Sequence, residues 1–174
     1  ENDKVLNEFF RSSKAIDENF HKLYREQGLE LLTMFPEGEV VMTTKKEFSK
    51  PEDLNDVKFR VMSIPLLVET YKGFGAVPTP LPWGEVYGSL QLNMIQGQEN
   101  PTSFVLSTNI YEVVDVLTYA GHNTFTTAVM ANADFYDALS DKDKKLVQDA
   151  TQHAFDYILE YQQNLEAKAL AEIK

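Results

Sequence analysis

An α/β fold with a mostly parallel sheet follows from three patterns: short apolar or β-branched runs, helical periodicities between them, and Gly or Pro at the joins. Neither internal repeats nor low-complexity stretches interrupt these patterns. At 174 residues the chain suffices for one ordinary domain or for two small lobes sharing a core.

Val5, Phe9, Ile16, Phe20, Leu23 and Tyr24 recur at helical spacing, with Gly28 as the stop. Leu31-Leu32-Thr33-Met34-Phe35 reads as a buried strand, broken by Pro36-Glu37-Gly38, and 40–44 as a second strand. Ser49 and Glu52 fit a capping box around Pro51, opening a helical turn before the strand Val57-Lys58-Phe59-Arg60-Val61. Pro65 starts a helix through Leu67, Val68 and Tyr71 that ends near Gly73 and Gly75. The proline-rich stretch 76–82 suits an edge strand or a crossing segment. A helix is expected over 84–94, with Val86, Leu90 and Met94 on one face and Gly97 closing it. Residues 113–120 and 125–131 are strand-like.

The last element runs from a Ser140/Asp143 N-cap arrangement to the end without Gly or Pro. Val147, Ala150, Ala154, Tyr157, Tyr161 and Leu165 form its expected apolar stripe. A rod of this kind, roughly 50 Å at 1.5 Å per residue, exceeds the width of one small lobe. It forms a coiled coil or a spine shared by two lobes, and a stripe of Ala and Tyr favours the spine.

The net charge of −11 argues against nucleic acid and against anionic membrane surfaces as partners. An anionic ligand then needs a locally positive pocket. The absence of cysteine excludes thiolate zinc sites, thiol nucleophiles and disulfides, and it fits an oxidising compartment. No apolar run reaches the length of a membrane span. No signal-peptide pattern opens the chain, which reads as a mature protein or a piece of one. His21, His122 and His153 lack ligand-like spacing and read as structural or exposed. Phosphate loop, nucleophile elbow and paired-carboxylate motif are all missing, so neither an enzyme nor a cofactor is implied.

Of three arginines, Arg11 and Arg25 fall in the first helical stretch, where a solvated face explains them. Arg60 alternates with Phe59 and Val61 and points away from both. It is either one half of a surface ion pair or a planar fork for bidentate capture of a carboxylate.

Several motifs then occur in order: Pro51-Glu52-Asp53-Leu54, Lys58-Phe59-Arg60-Val61, Gly73-Phe74-Gly75-Ala76-Val77-Pro78-Thr79-Pro80, Trp83-Gly84-Glu85-Val86-Tyr87 and Gly97-Gln98-Glu99-Asn100-Pro101. Tyr111-Glu112-Val113 and the stretch 132–139 continue them. In this order and spacing they resemble the solute-binding proteins of tripartite ATP-independent periplasmic (TRAP) transporters, of the dicarboxylate-binding type. The resemblance implies a two-lobed periplasmic-binding-protein-like fold (type II-like), incomplete here, with the long C-terminal helix spanning both lobes. This chain would be a central-to-C-terminal portion, with 1–38 and 125–165 in lobe I, 39–124 in lobe II, and 166–174 returning toward lobe II.

By the same resemblance, Arg60 binds the substrate carboxylate in the interlobe cleft. Asn100 supplies an amide to the carboxylate or a hydroxyl, or is a turn residue before Pro101. Trp83 walls the pocket or belongs to the core, while Glu85 and Tyr87 read as helix-start and packing residues. The family often carries a second basic residue in the strand at 40–44. Here that stretch is Val40-Val41-Met42-Thr43-Thr44, which favours a monocarboxylate. The implied function is the periplasmic component of an ion-gradient-driven transporter, closing around an organic acid and presenting it to membrane permease subunits, with no insertion into the membrane. The alternative is an extracytoplasmic ligand-sensing module of the same fold.

Overall fold

The computed structural model describes residues 2–173. Two compact units emerge, Glu1–Gly38 with Thr124–Leu165 (unit 1) and Glu39–Asn123 with Glu166–Lys174 (unit 2). Among the described residues no helix is long and apolar enough to cross a membrane.

Unit 1 opens with α1 (Asn2–Ser12), a π-helical turn (Ala15–Phe20) and α2 (His21–Glu26). Of the stripe expected along this stretch only Ile16 is buried; Val5, Phe9, Phe20 and Leu23 are exposed. Gly28 turns the chain at φ 75° into β1 (Leu29–Thr44), a single strand of 16 residues. The two strands expected at 31–35 and 40–44 are thus one. Pro36 forfeits a ladder donor without leaving extended geometry. Gly38 takes φ 140°, a value that a side chain would resist, so the chain passes from one unit to the next without a break.

Unit 1 also holds β6 (Thr124–Asn132), α6 (Ala133–Asp137) and the first part of α7 (Asp141–Ile173). The Ser140 hydroxyl accepts the Asp143 N–H at 3.2 Å and donates to its carboxylate at 2.7 Å, capping α7 as expected. The helix has 33 residues, about 50 Å of rod. Its buried stripe differs from the expected one. Phe155 and Leu159 pack with Phe35, Phe10 and Ile158, whereas Tyr157 and Tyr161 are exposed and stack on each other at 5.8 Å. Both stripes satisfy a 3.6-residue period and differ by about 100° of rotation, which a tertiary partner decides and periodicity does not. Arg11 meets Asp156 at 2.6 Å, and Arg25 grips Asp137 with two N–H groups at 2.7 and 3.0 Å.

In unit 2 the sheet order is β3 (Val77–Pro80), β2 (Lys58–Val61), β4 (Gly97–Pro101), β1, β5 (Val116–Thr118). The sheet is mixed rather than mostly parallel: β2 runs parallel to β3 and β4, and β1 antiparallel to β4 and β5. Proline-rich β3 lies at the edge, where missing N–H donors cost least. Short α3 (Pro65–Gly73), α4 (Val86–Gln91) and α5 (Thr102–Ser107) connect the strands. The helix expected over 84–94 is shorter: a 3₁₀ turn over Trp83–Glu85 precedes α4, and Met94 is exposed in the following loop. Gly97 does not close a helix; it begins β4.

Two apolar clusters lie on the two sheet faces. One gathers Val41, Val86, Leu90, Ile95, Val105 and Ile110, with Trp83 against it. The other gathers Met42, Phe59, Val61, Leu67 and Tyr71. Before β2, Ser49 works with Asp53 instead of Glu52: its N–H and hydroxyl both donate to Asp53 Oδ2, at 3.0 and 3.3 Å. These bonds hold the Asp53 carboxyl below its ordinary value.

Candidate functional site

The polar strand Gly97-Gln98-Glu99-Asn100-Pro101 lies between β2 and β1 and is buried along its whole length. Side-chain pairing makes this tolerable. Gln98 donates to Thr43 Oγ1 at 2.8 Å, and Asn100 donates to Gln98 Oε1 at 2.7 Å. This chain of amides fixes which way the Asn100 head group points. Gly97 is required where it stands, because a Cβ there would fall 2.7 Å from the Phe59 ring and 3.1 Å from the Thr44 methyl.

Phe59 pairs with Gly97, so strand alternation puts Arg60 on the sheet face of Gln98 and Asn100. Arg60 is only 5% exposed. Its Nε and Nη2 both donate to the Leu81 carbonyl, at 3.1 and 3.0 Å. That leaves the Nη1 hydrogens and one Nη2 hydrogen, the end-on edge that matches a carboxylate. Among the described residues no carboxylate lies within ion-pair distance of it. Burial pushes the guanidinium's pKa down, and the field of Glu99 opposes this.

Trp83 is half-buried beside Arg60, whose guanidinium carbon is 5.3 Å from the indole centroid. Its ring also meets Phe104 edge-on at 6.0 Å. Of the three residues the sequence singles out, the structure brings Arg60 and Trp83 into contact and sets Asn100 on the same sheet face. Asn100 is a buried strand residue, not a turn residue. Glu85 and Tyr87 stay peripheral, and the Tyr87 hydroxyl donates to Glu112 at 2.8 Å.

Sequence reasoning missed Phe104, Gln98 and Glu99. Phe104 had a signal: Pro101-Thr102-Ser103 reads as a helix start, putting an aromatic one turn beyond Asn100. Glu99 had none, because its partners are distant in sequence. On the opposite face from Asn100 its carboxylate accepts from the Tyr71 hydroxyl at 2.8 Å and lies 3.0 Å from His122 Nε2. Burial, reinforced by Glu99, raises the Tyr71 pKa well beyond the ordinary phenol range. His122 is therefore a buried partner of Glu99, and its Nδ1 has no hydrogen-bond partner among the described residues.

The family model described as "Bacterial extracellular solute-binding protein, family 7" matches residues 1–174. The ectoine/5-hydroxyectoine-binding periplasmic protein UehA of Ruegeria pomeroyi is 64% identical over 168 residues, 97% of this chain and 50% of that protein. The ectoine-binding periplasmic protein TeaA of Halomonas elongata is 55% identical over 172 residues, 99% of this chain and 50% of that protein. A high-resolution structure of the ectoine-binding protein of the Halomonas elongata TeaABC TRAP transporter superposes with TM-score 0.95 at 54% identity, covering 98% of this chain and 56% of that one. The chain thus spans about half the length of the curated relatives it matches. Those relatives are periplasmic binding proteins, not enzymes. The chain belongs to the family 7 extracellular solute-binding proteins, the binding components of TRAP transporters.

Proposed function

We propose that this chain forms the carboxylate-reading half of a binding protein that captures ectoine, or a closely related cyclic amino acid, for a TRAP permease. The observation that carries the reading is Arg60: a guanidinium buried to 5% exposure, with its end-on edge unengaged and no carboxylate partner among the described residues. A buried cation left without a counter-ion is costly, and a carboxylate ligand removes that cost.

Ectoine joins one carboxylate to a ring bearing a protonated amidine. The carboxylate suits Arg60, with the Asn100 amide as a second donor. The cationic ring suits the faces of Trp83 and Phe104. One basic residue, rather than two, matches a ligand with a single carboxylate. The names of UehA and TeaA, at 64% and 55% identity, support the choice of ectoine within the organic acids.

The test is a thermal-shift screen of the intact protein against ectoine, 5-hydroxyectoine and a panel of mono- and dicarboxylates. Ectoine is expected to raise the melting temperature most, and the shift to vanish in Arg60→Ala. A dicarboxylate hit with no response to ectoine would refute the ligand assignment.

A further inference from the structure

Helix α5 begins directly after β4, and its N-cap residue Pro101 offers no side-chain cap. The first N–H groups of a helix need acceptors, and here they come from far along the chain. Glu166 on α7 accepts the Thr102 N–H at 3.0 Å through Oε2 and the Ser103 N–H at 3.1 Å through Oε1. One carboxylate thus holds two consecutive amides, against the positive end of the peptide dipoles. Thr102 and Ser103 are themselves buried, so these amides have little recourse to water.

The position of this clamp gives it consequence. Asn100 lies two residues before Thr102, and Phe104 follows Ser103. Phe104 is exposed, and its described aromatic contact is the edge-on one with Trp83. The Thr102 hydroxyl lies 3.2 Å from the Tyr119 hydroxyl and Val105 is buried, so the clamp acts together with these contacts on the first turn of α5. Glu166 is also the residue at which α7 passes from unit 1 to unit 2.

We infer that Glu166 is a positioning residue for ligand binding: by clamping the Thr102 and Ser103 amides it sets the place of the Phe104 ring beside Trp83. The inference rests on the reading of this face as the ligand site. It predicts that the side chain acts through Phe104 and touches no ligand itself. Glu166→Gln keeps the size but turns one acceptor oxygen into a donor, so one of the two bonds is lost.

The experiment is a double-mutant cycle in the intact protein, reading ectoine affinity by calorimetry and amide hydrogen exchange by NMR without ligand. Glu166→Gln is expected to speed exchange at Thr102 and Ser103 and to weaken ectoine binding about fivefold to tenfold. In a Phe104→Ala background the same change is expected to cost less than about twofold, because the ring it positions is gone. Equal losses in both backgrounds would overturn the inference, as would faster exchange with unchanged affinity. If the unaltered protein binds no ectoine, the functional reading fails instead. The positioning claim is then read from the Phe104 ring resonances, which Glu166→Gln must shift for it to stand.

Discussion

The Tyr71 hydroxyl donates to the Glu99 carboxylate at 2.8 Å, tying α3 to the middle of a sheet strand that contains no apolar side chain other than a proline. That bond, with His122 at 3.0 Å from the same oxygen, makes a buried acid admissible between Gln98 and Asn100. Tyr71→Phe is expected to destabilise the intact protein by about 1–3 kcal/mol, since Glu99 keeps its burial and loses a donor. Glu99→Ala is expected to cost more than Tyr71→Phe, because it removes the acceptor that Tyr71 and His122 share and leaves them only their mutual contact at 3.1 Å. Urea denaturation reads both, and a Tyr71→Phe protein as stable as the parent would show the bond to be unimportant.

Close approach at Gly97 gives a second expectation. A methyl group there meets the Phe59 ring at 2.7 Å, so Gly97→Ala should destabilise by about 1–3 kcal/mol through overpacking. Phe59→Leu alone opens space, and the double variant should recover part of the Gly97→Ala loss. Additive losses in the denaturation midpoints would place the strain elsewhere.

Acid sensitivity has a definite sign at Asp137. Hydrogen bonding to Arg25 holds its carboxyl below the ordinary value. A folded-state pKa lower than the unfolded one contributes stability above the unfolded value, near about 3.9. That contribution fades as the pH falls through the lower folded value. An NMR titration of the Asp137 carboxyl should show the depressed midpoint in the parent and a rise toward the ordinary value in Arg25→Ala. An unchanged midpoint would remove Arg25 as the cause.

Trp83 supplies a prediction about ligand charge. Trp83→Leu keeps an apolar wall but loses the ring quadrupole, and should weaken binding of the cationic ring by about 0.5–2 kcal/mol, roughly twofold to thirtyfold. Trp83→Phe should lose less. Calorimetry that ranks Leu equal to Phe would assign the residue to packing alone.

Elements specified by local chemistry were legible in the sequence. Pro65 opens α3, the prolines of 77–80 mark an edge strand, and Ser140 caps α7. Arg60 stood out because it alternates with apolar neighbours in a strand. What escaped was specified by distant partners. β4 went unread as a strand because Thr43, Tyr71 and His122, which satisfy it, lie 23 to 55 residues from the side chains they bond. In α7 two stripes are equally periodic, and only contact with Phe35 selects Phe155 and Leu159. The joining of two strand segments into β1 depends on Gly38 accepting a backbone angle that its neighbours in sequence do not announce.

The most direct measurement of the central claim is calorimetric titration of ectoine into the intact protein and its Arg60→Ala and Arg60→Lys variants. Saturable binding is expected in the parent, weakened at least about tenfold by Ala and less by Lys, which keeps the charge but not the bidentate fork. Ectoine binding of equal affinity in all three would contradict the assignment of Arg60 as the carboxylate anchor.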